Sequence, residues 1–138
     1  MDINRLSKEP VLLSDWFEII KKKIDYKYSS LGDNVGNIPL LNCAKNNKSI
    51  VRYVDKEEYE GDIISVVKDR DATAGYCYHH NGKLAWSIHI YVIQLKQNKV
   101  LNLDINAKLL TLQLCPNHLE NERLNSNFLN EKYCYLYI

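Results

Sequence analysis

An Asn-Gly pair reverses a chain with little strain, because both residues tolerate the positive φ angles of the tight hairpin turn. Here Asn81-Gly82 stands between Gly75-Tyr76-Cys77-Tyr78-His79-His80 and a long, mostly apolar run over residues 84–95. That arrangement predicts a β-hairpin and, with it, an antiparallel sheet in the second half of the chain. The β-branched run Ile63-Ile64-Ser65-Val66-Val67 reads as a strand ahead of the hairpin. Lys96-Gln97-Asn98 reads as a turn into a strand over 99–104. Further strands are expected over 109–114 and 133–138.

Upstream, the pattern predicts helices. Asp15 with Glu18 resembles a capping box, and Trp16, Phe17, Ile19, Ile20 and Ile24 fall near a helical stripe. Lys21, Lys22 and Lys23 read as the solvated C-terminal end of that helix. A Ser/Gly/Asn-rich loop follows over 29–37. After Pro39, a second helix is expected from about Asn42 towards Tyr59, with Ile50, Val51 and Val54 inward. The fold class is therefore α+β: N-terminal helices packed on an antiparallel sheet, in one domain over residues 1–138.

Composition narrows the partners. The 138 residues are 46% hydrophobic and 25% charged, which suits one globular domain. Eighteen Lys+Arg against 17 Asp+Glu give a formal net charge of +1. A near-neutral chain lacks a general attraction for polyanions, so neither nucleic acid nor membrane is expected as a partner. No apolar run approaches the roughly 18 residues of a membrane span, and the first residues lack a signal-peptide core. The expected location is the cytoplasm, or a host cell reached without a classical signal peptide.

Four cysteines without a C-x-x-C pair read as reduced thiols. A turn over 95–98 places His89 opposite Asp104 on adjacent strands, and a tighter turn makes them diagonal neighbours on one face. An aspartate beside a histidine fixes the imidazole tautomer and stabilises its protonated form. The first hairpin sets Cys77 opposite Trp86, on the face away from His89, while Tyr76 and Tyr78 share the His89 face. Cys134 reads as core, and Cys115 lacks a convincing partner. Cys77, His79, His80, Cys115 and His118 supply zinc-ligand types, but not as two compact pairs. Cys43 remains, at the start of a predicted helix, where the dipole and free amides favour a thiolate and an oxyanion.

Cysteine at a helix start, histidine on one strand and aspartate on the next is the order of the papain-like and transglutaminase-like superfamily. Trp86-Ser87-Ile88-His89-Ile90-Tyr91-Val92-Ile93, followed by Val100-Leu101-Asn102-Leu103-Asp104, resembles the His–Asp strands of N-terminal glutamine amidohydrolases and protein-glutamine deamidases. The resemblance covers about residues 37–104. It implies a compact papain-like core and a Cys43–His89–Asp104 triad, with Asn37 or Asn42 as oxyanion donor and Tyr76, Tyr78 and Trp86 around the pocket.

The implied reaction is hydrolysis of a glutamine carboxamide in a protein or peptide. Cys43 attacks the carboxamide carbon, ammonia leaves with a proton from His89, and water hydrolyses the thioester. No metal or organic cofactor is needed. Two other readings stand beside it. One is a non-catalytic binding module, such as an immunity or inhibitor protein, using the Tyr133/Tyr135/Tyr137 row. The other is a small papain-like thiol protease.

Overall fold

The computed structural model describes residues 2–23, 35–69, 73–115 and 123–138. Its centre is a six-stranded mixed sheet in the order β2-β7-β5-β6-β3-β4. These strands are β2 (Phe17–Ile19), β3 (Ile38–Leu41), β4 (Ile50–Val54), β5 (Tyr59–Val67), β6 (Cys77–Trp86) and β7 (Ile90–Leu95). All pairings are antiparallel except β3 with β6. A two-stranded clasp of β1 (Val11–Leu12) and β8 (Tyr133–Cys134) ties the two ends of the chain together. Helices α1 (Leu103–Leu114) and α2 (Phe128–Glu131) follow the sheet in sequence.

The sheet is rolled, and the register shows why it must be. β6 and β7 are both antiparallel to β5 and lie on its two sides, so they run in the same direction. In a flat sheet such a pair needs a crossover of a dozen or more residues. Here Trp86 ends β6 and Ile90 opens β7. Leu84 lies opposite Tyr59 and Ile90 opposite Val67, ends of β5 that would be about 26 Å apart in a flat strand. The chain from residue 84 to 90 reaches at most about 21 Å even when fully extended. Curling the β5–β6 ribbon closes that distance.

Asn81-Gly82 takes part in that ribbon instead of ending it. The dipeptide sits inside β6, where Gly82 faces Gly61 and Asn81 faces Asp62. Gly82 has φ +115°, and a Cβ built on Gly61 would come within 2.7 Å of the Tyr59 ring. Two opposed glycines give a long ribbon a place to bend. The predicted hairpin is therefore a bend, and Cys77 lies opposite Val66 rather than Trp86.

Rolling gives the sheet two buried faces. On one, Ile64, Val66, Cys77 and Ile93 pack against Leu103, Ala107, Leu110 and Leu114 of α1, with Phe128, Leu129 and Leu136. On the other, Ile63, Val67, Leu84, Trp86, Ile90 and Val92 meet one another and Leu41 inside the roll. Period-2 alternation along β5 supplies both sets.

The α+β class stands, but its elements sit elsewhere than predicted and the core is not papain-like. The segment expected as the first helix is a single 3-10 turn, Leu13–Asp15, followed by β2. The second expected helix, from about Asn42 towards Tyr59, is a loop after β3 followed by β4. Asn47, Lys48 and Ser49 in that loop have φ of 52°, 52° and 66°, a left-handed path that excludes a right-handed helix. The strands expected over 99–104 and 109–114 are instead the approach to α1 and α1 itself. Asn102 caps the helix, its side-chain oxygen accepting from Ile105 N at 3.0 Å. Ile24, most of the loop over 29–37 and His118 lie outside the described residues. No described helix is long and apolar enough to cross a membrane.

Candidate functional site

Lys21-Lys22-Lys23 continue β2 across one end of the roll, where Ile20 N donates to Val92 O at 2.8 Å. The Glu58 carboxylate, buried at 0% side-chain exposure, receives this segment. It accepts from Lys22 Nζ at 2.7 Å, Lys23 N at 3.0 Å and Trp86 N at 3.0 Å. Lys22 Nζ also donates to the Trp86 carbonyl and lies 5.7 Å from the centre of the indole. Lys22 is thus tied inward, while Lys21 and Lys23 are exposed.

The end of β5 adds the second half of the site. Lys68 N donates to His89 O at 2.8 Å, and the Lys68 ammonium lies 5.5 Å from the Tyr91 ring centre. Leu124 N donates to Lys68 O at 2.7 Å, which brings Arg123 alongside. Between them sits Asp69, a buried residue. Its Oδ1 accepts from His89 Nδ1 at 2.7 Å and its Oδ2 from an Arg123 terminal nitrogen at 3.1 Å.

Two grooves open on this surface. One, of about 370 Å³, is lined by Lys68, Tyr91, Arg123, Leu124, Asn125 and Ser126. The other, of about 270 Å³, includes Lys21, Lys22, Lys68, Trp86, Ile88 and Tyr91. Shared walls at Lys68 and Tyr91 join them. Ile88, 58% exposed, stands on the turn between β6 and β7. Among the described residues, Lys21, Lys22, Lys23, Lys68 and Arg123 gather here, and the neighbouring carboxylates, Glu58 and Asp69, are buried and hydrogen-bonded. The surface therefore carries an excess of positive charge beside amide, hydroxyl and aromatic groups, the chemistry that meets phosphates and base edges.

The residues predicted to form a triad do not form one. Asp104 is in the first turn of α1, exposed, with Oδ1 3.8 Å from His79 Nδ1. His79 itself pairs with Asp62. The carboxylate on His89 is that of Asp69. Cys43 follows β3 in a loop and packs, half-buried, against the core inside the roll, so no helix dipole acts on it. Asn37 is exposed in a bend before β3. Asn42 is buried and accepts from Ser87 Oγ at 2.6 Å. Tyr76 and Trp86 pack in the rolled core, and the Tyr78 hydroxyl donates to Lys45 O at 2.7 Å.

The other thiols are structural. Burial raises Cys77 far above the ordinary thiol range, pushes Cys134 up to about 11, and raises Cys115. Cys77 faces α1 while His80 faces the roll, so they cannot share a zinc ion. Among the described residues no group of three or more His, Cys, Asp or Glu is placed to hold a metal.

A family model described as the type I restriction modification DNA specificity domain matches residues 7–133. The chain belongs to that family. A solved structure, the type I restriction-modification system S subunit from M. genitalium, is similar in fold. The TM-score is 0.68 at 14% identity, over 96% of this chain and 34% of that one. The chain thus spans about a third of the length of that S subunit. No curated protein matches in sequence.

Membership overturns the deamidase expectation together with its protease and immunity-protein alternatives. The family is one of DNA specificity domains, and the fold is that of an S subunit, not a papain-like or transglutaminase-like enzyme. The exclusion of nucleic acid is overturned with it. A net charge of +1 is a sum over the whole surface, and it hides the local excess at this end of the roll. Lys21–Lys23 stand out as a run in the sequence, where they suit a helix end, and the fold places them after a strand instead. Lys68 and Asp69 lie far from Arg123 in the chain, and the fold joins them through the hydrogen bonds from Leu124 N to Lys68 O and from Arg123 to Asp69.

Proposed function

We propose that this DNA specificity domain binds duplex DNA through the basic end of the rolled sheet, as the target-reading part of a larger specificity subunit. The observation that carries the reading is the convergence of Lys21, Lys68 and Arg123 on two joined grooves, with exposed Lys23 next in the chain to Lys22 and, among the described residues, the nearby Glu58 and Asp69 carboxylates buried. The lysines position the phosphate backbone, since an ammonium acts as a point charge with no preference among bases. Asn125, Ser126 and Arg123 supply donors and acceptors able to meet base edges. Assembly with the methylation and restriction subunits follows from the family rather than from a described interface. On this reading the chain works in the cytoplasm, where the DNA is, and needs no export into a host.

Fluorescence anisotropy with labelled duplexes at several salt concentrations tests the proposal. Non-sequence-specific binding is expected with Kd about 10⁻⁴ to 10⁻⁶ M near physiological salt. Lys21→Ala, Lys23→Ala and Lys68→Ala should each weaken binding to all duplexes and lower the salt slope by about one. No binding at low salt, or a slope unchanged in the triple variant, refutes the reading.

A further inference from the structure

Resting on that reading, we propose that Arg123 reads a guanine from this surface and that Asp69 is its positioning residue, braced by His89. Arg123 is held at two points. Its root is fixed because the next residue, Leu124, donates its backbone N–H to Lys68 O at 2.7 Å. Its tip is fixed by one terminal nitrogen, which donates to Asp69 Oδ2 at 3.1 Å. Between these points the side chain is 70% exposed and lines the larger groove.

Asp69 is itself locked. Its side chain is 12% exposed, and Oδ1 accepts from His89 Nδ1 at 2.7 Å. His89 is held in turn, with its backbone N donating to Ser87 Oγ at 3.2 Å and its carbonyl accepting from Lys68 N at 2.8 Å. Ser87 Oγ donates onward to the buried Asn42.

A phosphate contact needs little of this. A charge on a flexible stem finds a phosphate without a buried carboxylate to aim it, as exposed Lys21 and Lys23 illustrate. Reading a base is different, because the planar guanidinium must present two parallel N–H groups to guanine O6 and N7. A carboxylate engaging one terminal nitrogen restrains where the guanidinium sits, and the donors away from Asp69 can face outward. Holding the side chain before binding also reduces the rotamer entropy lost on contact.

The test uses the full chain. A randomised duplex pool is selected for binding, and the preferred and scrambled duplexes are then titrated with wild type and variants. Arg123→Ala should lower affinity for the preferred duplex by about 10- to 100-fold and erase a guanine preference at one position. Arg123→Lys should not restore that preference, since an ammonium lacks the fork. Asp69→Asn should lose it while keeping the salt slope. Lys68→Ala should keep it and lose slope.

Three results overturn the inference while leaving the DNA-binding reading standing. They are wild-type binding with no base preference, full preference in Arg123→Lys, and an Arg123→Ala loss equal on all duplexes. The last identifies Arg123 as a phosphate contact. Absence of all duplex binding refutes the underlying reading instead. Should Asp69→Asn unfold, the exposed Arg123 variants decide the matter alone.

Discussion

Glu58 is the residue on which the basic end of the roll depends, and Glu58→Ala tests that dependence. Its two carboxylate oxygens accept from three donors on two separate segments: Lys22 Nζ, Lys23 N and Trp86 N, all at 2.7–3.0 Å. Truncation leaves two backbone N–H groups and an ammonium without this acceptor. Removing one partner of a buried ion pair costs about 3–5 kcal/mol. Lys22 retains 21% side-chain exposure and its bond to the Trp86 carbonyl, so a loss of about 2–4 kcal/mol is expected here. For a chain of this size that corresponds to a fall in Tm of roughly 8–16 °C. Glu58→Gln is also expected to destabilise, by about 1–3 kcal/mol, because either orientation turns an amide NH₂ towards a backbone N–H. Urea unfolding followed by tryptophan fluorescence measures both changes. A Glu58→Ala loss below about 1 kcal/mol refutes the claim that this carboxylate ties β2 to the end of β6.

Three further predictions follow from buried groups. Burial lowers His80 from the ordinary histidine range to about 4, and its Nε2 is buried without a hydrogen-bond partner among the described residues. The unfolded chain therefore takes up the proton first, so unfolding free energy should fall as pH drops from about 6.5 to 4, by at most about 3 kcal/mol from this group, then level off. His80→Leu should flatten that part of the pH profile of urea unfolding, and an unchanged profile excludes the mechanism. Asn106, fully buried, donates to the Tyr137 carbonyl at 2.9 Å and accepts from Tyr137 N at 2.8 Å, docking the C-terminal segment on α1. Asn106→Leu should cost about 2–4 kcal/mol and speed amide exchange at residues 135–138, whereas unchanged exchange contradicts the docking role. Native alkylation at pH 8 should leave Cys77 and Cys134 unmodified, and rapid labelling of either is incompatible with their burial.

Much of the local pattern was legible. Ile63 to Val67 is part of β5, and Lys96-Gln97-Asn98 leads out of β7 by a turn, with Asn98 at φ 72°. Cys134 is core, as its alternation with exposed Tyr133 and Tyr135 suggests. Helix α1 was legible too. Leu103, Asn106, Ala107, Leu110 and Leu114 make a buried stripe at helical spacing behind an Asn cap. The hairpin register obscured it, because setting His89 opposite Asp104 required residues 99–104 to be a strand. The N-terminal segment failed for the opposite reason. Trp16, Phe17, Ile19 and Ile20 fit a helical stripe, yet β2 gains the hydrogen bonds of an edge place beside β7.

The sequence by itself determined the α+β class, the apolar alternation that gives the sheet its buried faces, and the available inventory of charges and thiols. Tertiary structure alone decided which of those groups meet. A hairpin and a bend differ at Asn81-Gly82 only in whether β5 pairs along the whole of β6, and that choice depends on Gly61 lying opposite Gly82. Once the ribbon curls, His89 faces Asp69 rather than Asp104, and Lys21 and Lys22 share a groove with Lys68, next to the one that Arg123 lines. Local propensity acts over a few residues. The electrostatic surface depends on distances between segments far apart in the chain, and closure of the roll fixes those.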